Sequence, residues 1–192
     1  MAPSTSIKDA IKAFEAKKGV KASEVDKVEL YGMDPPIVKL DSALSTLSKC
    51  KHLALSTNNI AAISNLSGLD SLKILSLGRN NIKKIEGLSG VVDTLEELWM
   101  SYNLVEKLTG LSEAKKLKVL YMSNNKIASW SELDALKECP SLEEVIFTGN
   151  PFADEYKEDK AGYRIAMLKV LPNLTRIDGT PVDVDEREAA QE

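Results

Sequence analysis

The chain reads as an α/β solenoid: a parallel β-sheet on a concave face, short helices on the convex face, and a helical cap at each end. Three observations predict this. One frame recurs five times, as Leu53/Leu55/Asn58/Ile60, Leu75/Leu77/Asn80/Ile82, Leu98/Met100/Asn103/Val105, Leu120/Met122/Asn125/Ile127 and Val145/Phe147/Asn150/Phe152. Its asparagines step along the chain by 22, 23, 22 and 25 residues. Each copy also switches from a period of two to a period of three, the signature of a strand followed by a tight return.

Composition agrees with one well-packed domain. The 192 residues are 43% hydrophobic and 28% charged, which excludes a disordered chain. Twenty-five basic against twenty-nine acidic residues leave a net charge of −4, the wrong sign for a general binder of nucleic acid or of a membrane surface. Cys50 and Cys139 are too few for a disulfide scaffold and fall at or beside core positions, so both are expected as buried thiols. With no apolar signal core near the N-terminus and no apolar run of membrane-spanning length, a soluble protein of a reducing compartment is expected.

Residues 1–24 form the first cap, because Ile7, Ile11 and Phe14 share one helical face. Residues 25–152 hold about six repeats; a degenerate first copy, Val28/Leu30/Met33, has methionine where the asparagine should stand. In each repeat a short Leu-x-Leu strand buries one face. The asparagine amide then satisfies backbone groups of the turn that leaves the strand, and stacked copies make a ladder of Asn58, Asn80, Asn103, Asn125 and Asn150. Ile60, Ile63, Leu66 and Leu69, then Ile82, Ile85 and Leu88, recur every third residue and suit a 3₁₀-like return. The longer repeat after Asn125 predicts an α-helix over Ser129–Leu136. Residues 153–179 form the second cap: a helix from Tyr163 stopped by Pro172, then a partial strand ending near Ile177. Residues 180–192 predict a helix with Thr180 as its N-cap; lacking an apolar stripe, it should project from the body.

Catalytic candidates are poor. The single histidine, His52, sits on an open strand face. Glu96-Glu97 and Glu143-Glu144 are strand neighbours that point to opposite faces and cannot form an acid–base dyad. The acidic run from Asp154 to Asp159 lacks the spacing and central glycine of a calcium loop. Gly87 and Gly90 lie in a return segment and lack the lysine and hydroxyl of a phosphate loop. No enzyme, cofactor or metal site is predicted.

The informative positions face outward from the strands. The middle column runs Glu29, Ala54, Ser76, Trp99, Tyr121 and Ile146, and the column before it Lys27, His52, Ile74, Glu97, Val119 and Glu144. Ile74, Trp99, Val119, Tyr121 and Ile146 therefore cluster on neighbouring strands, with Tyr102 just beyond and a polar rim of His52, Arg79, Glu97 and Glu144. An exposed patch of this kind is a protein-docking surface. The other arrangement left open is that terminal helices fold over it or that Trp99 merely packs on its neighbours.

The repeated frame resembles the leucine-rich-repeat family, with the short unit of its intracellular members. Within that family, Cys50–Ile60, Leu72–Asn80, Asp93–Asn103, Val119–Ile127, the opening Ser6–Ala10 and the tail Asp178–Glu188 are similar to the light-chain family of axonemal outer-arm dynein, outward residues such as Arg79 and Trp99 included. The resemblance implies a non-catalytic subunit in the axoneme of the cilium or flagellum, monomeric when isolated. Its partner would be the outer-arm dynein heavy chain at its microtubule-binding stalk tip, whose engagement with the microtubule it tunes. It implies further that Asp183 and Arg187, four apart on one helical face, meet the motor or the tubulin lattice; a solvated intrahelical pair is the plainer alternative. Regulatory subunits of type-1 phosphatase and of the spliceosome share the short repeat and cap. A GTPase-activating role would fall to Arg79, the one concave arginine of the repeat strands, although such proteins have longer repeats.

Overall fold

Residues 2–192 are described in a computed structural model of the chain. Six three-residue strands lie in register along one sheet: β1 (Lys27–Glu29), β2 (His52–Ala54), β3 (Ile74–Ser76), β4 (Glu97–Trp99), β5 (Val119–Tyr121) and β6 (Glu144–Ile146). All pair in parallel and in sequence order, followed by β7 (Arg176–Ile177) and then β8 (Thr180–Pro181), which pairs antiparallel with β7. Each strand is short because only its central residue points into the core; Val28, Leu53, Leu75, Leu98, Leu120 and Val145 are all fully buried.

The asparagines explain how one repeat holds the next. Asn103 donates from its amide to the carbonyls of Leu77 (2.9 Å) and Met100 (3.0 Å), while its oxygen accepts from the Ile82 N–H (3.0 Å). Asn58, Asn80, Asn125 and Asn150 repeat this pattern, each bonding the carbonyl three residues back in its own repeat and a carbonyl and an N–H of the repeat before. Buried backbone groups that the short strands leave unpaired are thereby satisfied. Among the described residues no strand precedes β1, so Met33 at the equivalent place has no repeat to stitch and packs partly against the core instead.

A second regularity accompanies the ladder. The residue before each asparagine, or before Met33, is left-handed: Gly32, Thr57, Arg79, Tyr102, Asn124 and Gly149 have φ between 54° and 82°. Only the outer two of the six are glycine, the residue this conformation favours.

The convex side is made of extended chain and 3₁₀ segments at Ser42–Thr46, Thr109–Leu111, Trp130–Glu138 and Pro151–Tyr156. The predicted α-helix over 129–136 is thus a 3₁₀ helix. Its buried residues, Leu133 and Leu136, are three apart, and the Cys139 N–H bonds back to the Leu136 carbonyl. A three-residue spacing fits either helix, and the tight return favours the narrower one. Return segments also approach closely: a side chain added at Gly110 would lie 1.8 Å from the Ile85 carbonyl oxygen.

Helix α1 (Ile7–Lys18) closes the first end, capped by Ser6 and by left-handed Gly19, with Ile7, Ala10 and Phe14 buried. Helix α2 (Lys160–Val170) closes the other, burying Tyr163, Met167 and Leu168. The final segment corrects the expectation of a projecting helix begun by Thr180. Thr180 and Pro181 form β8, and α3 (Val184–Ala189) starts at Asp183 with a capping box to Glu186. It lies against α2 without burying any of its residues. Polar contacts hold it there: Arg164 pairs with Glu186, and Arg187 donates to the carbonyls of Pro172 (2.9 Å) and Leu174 (2.7 Å). Hydrogen bonding to Arg164 accordingly lowers the Glu186 pKa.

Candidate partner-binding face

The outward columns of β2–β6 bring the predicted patch together. Trp99 and Tyr121, opposite one another in the β4–β5 register, stack with ring centres 5.7 Å apart and planes at 21°. His52 meets Trp99 edge-on at 5.4 Å and hydrogen-bonds Ser76 Oγ at 2.9 Å. Burial lowers the His52 pKa below 6.5 and nearby Lys27 adds to this, while Glu29 opposes it; the imidazole is therefore held neutral. Ile74, Val119 and Ile146 are half-buried beside the rings.

Hydrogen bonds fix both aromatic groups. Trp99 Nε1 donates to Glu97 at 3.0 Å, and Tyr121 donates its hydroxyl to Glu144 at 2.9 Å. Burial, followed by the Glu144 carboxylate, raises the Tyr121 phenol to about 12. Glu144 is also 3.6 Å from the Arg176 guanidinium, a residue the repeat frame did not single out because it lies on the cap strand β7. At the opposite edge the Arg79 guanidinium covers the Tyr102 ring, 4.4 Å from its centre. Tyr102 is 48% exposed.

The face is therefore neither a loose apolar surface nor a covered one. Trp99 packs on its neighbours, yet remains half-exposed. The terminal helices pack at the ends, α1 on the 42–46 segment and α3 on α2. Ring orientations are set in advance, which reduces the side-chain entropy lost when a partner docks. Asp183 and Arg187, expected to meet the motor or the tubulin lattice, cap α3 and hold it to the body respectively; the alternative of an ion pair between them is not seen among the described residues.

Among the described residues no three metal-binding side chains converge, and both cysteines are buried; desolvation raises Cys50 to about 11 and Cys139 above its ordinary value. The described residues also contain no helix long and apolar enough to cross a membrane.

Parallel strands, asparagine ladder and short returns define the class: this is a leucine-rich-repeat protein, built around a preformed concave face. Family models agree, with the NXF1/2/3/5 leucine-rich repeat domain matching residues 92–179 and paired leucine-rich repeats matching 70–113. Among solved structures, the Drosophila melanogaster SNF/U2A′ complex contains a chain superposing with a TM-score of 0.67 at 26% identity, over 81% of this chain and 91% of that one. The Leptospira interrogans LRR protein LIC12759 shares the fold alone, with a TM-score of 0.63 at 22% identity, over 80% of this chain and 37% of that one.

Sequence relatives narrow the class. Dynein axonemal light chain 1 of Chlamydomonas reinhardtii is 59% identical, covering 99% of this chain and 97% of the relative. The Danio rerio protein of that name is 52% identical over the full length of both, and the Homo sapiens one 49% identical over 95% of each. The chain belongs to the dynein axonemal light chain 1 family.

Proposed function

We propose that the chain is a non-catalytic light-chain subunit of the outer dynein arm in the axoneme of a cilium or flagellum. Its concave face binds the motor heavy chain at the microtubule-binding stalk tip and tunes how the motor engages the microtubule, and so ciliary beating. The observation that carries this reading is the fixed aromatic platform of Trp99 and Tyr121 on a chain of that family. Ile74, Val119 and Ile146 widen it, and Arg79 with Tyr102 forms its far border. The chain is monomeric when isolated and engages neither nucleic acid nor membrane. A net charge of −4 favours a modest steering effect near acidic tubulin over strong direct binding.

A spliceosomal or phosphatase-regulatory role ranks second. Only the first of these two has a structural neighbour behind it, the SNF/U2A′ chain at 26% identity, against 48–59% for the light chains. A GTPase-activating role through Arg79 ranks last, because that guanidinium already lies over Tyr102.

The test is calorimetric titration of the purified protein with an isolated outer-arm dynein stalk tip, alongside Trp99→Ala. Micromolar or tighter binding, lost in a mutant that remains folded, is the expected result. A folded wild type that shows no binding would withdraw the stalk-tip assignment.

A further inference from the structure

Charges on the concave face are almost all matched. Glu29 pairs with Lys18 at 2.9 Å and Lys27 at 3.0 Å, Glu144 pairs with Arg176, and Arg79 rests on an aromatic ring. Glu97 is the exception. Its carboxylate accepts from the Trp99 indole, and no cation lies within ion-pairing distance of it among the described residues. The adjacent Glu96 carboxylate takes both nearby lysines, Lys73 (2.9 Å) and Lys118 (2.8 Å), and Glu97 feels Lys118 only through space. Glu97 is half-buried, so an unmatched charge there is less screened than on open surface.

Beside this carboxylate lie Trp99 and Tyr121, whose rings cover one another on one face only, so that each keeps an outer face, that of Trp99 shared with the edge-on His52. Aromatic faces are negative at their centres and attract cations, and indole does so most strongly. A flat guanidinium can lie on such a face while bonding a carboxylate at its edge, which a compact ammonium does less well. We propose that Glu97, Trp99 and Tyr121 together form a receptor for one positively charged side chain, an arginine, carried by the protein segment that docks on the concave face. This rests on the reading of that face as the partner-binding surface. It adds the chemistry that selects the partner: an apolar segment without a cation at this point should dock poorly.

Two measurements separate the inference from the reading beneath it. In the first, the full-length protein and Glu97→Gln are titrated with the dynein stalk tip at several salt concentrations. Glutamine keeps an oxygen for the indole N–H and removes only the charge. The variant should bind about threefold to tenfold more weakly, with a flatter salt dependence. Unchanged affinity and salt dependence would overturn the inference, and loss of binding in Trp99→Ala would still keep the face. The second needs no motor: the Trp99 indole N–H resonance is followed while N-acetyl-arginine amide is added, with neutral N-acetyl-citrulline amide as control. The inference expects a shift from the arginine compound alone, abolished by Glu97→Gln. Equal shifts from both compounds, or an arginine shift that survives in the variant, would overturn it, whether or not the stalk tip binds.

Discussion

On the inner side of β2–β6 the central position runs Leu53, Leu75, Leu98, Leu120 and Val145, all fully buried, and the asparagine that follows never changes. Across the same strands the outward position runs Ala54, Ser76, Trp99, Tyr121 and Ile146, no two alike. Both sets hang from the same backbone, spaced by the same register. The inner set, four leucines and a valine, meets a like aliphatic neighbour in every repeat, so one solution serves five times. The outer set meets solvent or a partner, and nothing in the stacking dictates its identity. Repetition therefore marks what holds the solenoid together, and its loss marks where a partner is recognised.

The sharpest way to break this comparison is to remove one residue from each side. Asn103→Ala leaves the Leu77 and Met100 carbonyls and the Ile82 N–H without their side-chain partner. At about 1 kcal/mol or more for each buried group, denaturant unfolding should show a loss of about 3 kcal/mol. A change near zero would mean that water or a shifted turn replaces the ladder. Trp99→Ala should cost less, about 1–2 kcal/mol, since it removes a half-exposed ring and one stacking contact. It should nevertheless abolish partner binding, which Asn103→Ala retains wherever it stays folded. If the two mutants exchanged these phenotypes, the division of labour between the faces would be wrong.

How much of this was legible in the sequence follows from the same contrast. The strand positions, the buried alternation and the ladder were readable because each is printed five times. The patch around Trp99 was readable because the frame assigns every outward position a strand and a column. The 3₁₀ form of Trp130–Glu138 was not, because Leu133 and Leu136 satisfy both helical periods. Nor was the docking of α3: Arg164 and Arg187 hold it through a carboxylate and backbone carbonyls, contacts that leave no apolar periodicity. The left-handed column escaped because Thr57, Arg79, Tyr102 and Asn124 hide it; Gly32 and Gly149 at matching positions were the available signal.

A smaller effect concerns acid. Glu96, hydrogen-bonded by Lys118 and then Lys73, titrates at about 2 rather than 4.5. A carboxylate held below its unfolded value stabilises the fold above that value, and the contribution disappears as the pH falls from 4.5 towards 2. The site is open to solvent, so less than about 1 kcal/mol is at stake. Glu96→Gln should flatten that part of the stability–pH curve, measured by urea unfolding between pH 5 and 2. It should not alter partner binding at neutral pH, since this carboxylate is engaged by Lys73 and Lys118 and makes no contact with Trp99 or Tyr121. A weakened partner complex would show that the Glu96 cluster and the aromatic platform communicate.

The smallest predicted change has the opposite sign. Thr57 is β-branched and exposed, yet has φ of 56°, a conformation that costs a non-glycine residue about 1–2 kcal/mol. Its N–H donates to the Gly78 carbonyl and its own carbonyl accepts from Gly32, and both contacts survive replacement of the side chain. Thr57→Gly should therefore relieve strain while adding the chain entropy of glycine, about 0.5–1 kcal/mol, for a net gain of about 0.5 kcal/mol. In a domain of this size that raises the melting temperature by about 1–2 °C. Arg79→Gly relieves the same strain at φ 54° but removes the guanidinium from Tyr102, so its stability gain should be smaller and partner binding should weaken. If both variants proved less stable than the wild type, the left-handed column would be unstrained, and side chains there would be no sign that recognition had displaced glycine. If Thr57→Gly gains stability and only Arg79→Gly loses affinity, strain is borne at Arg79 for the sake of the partner.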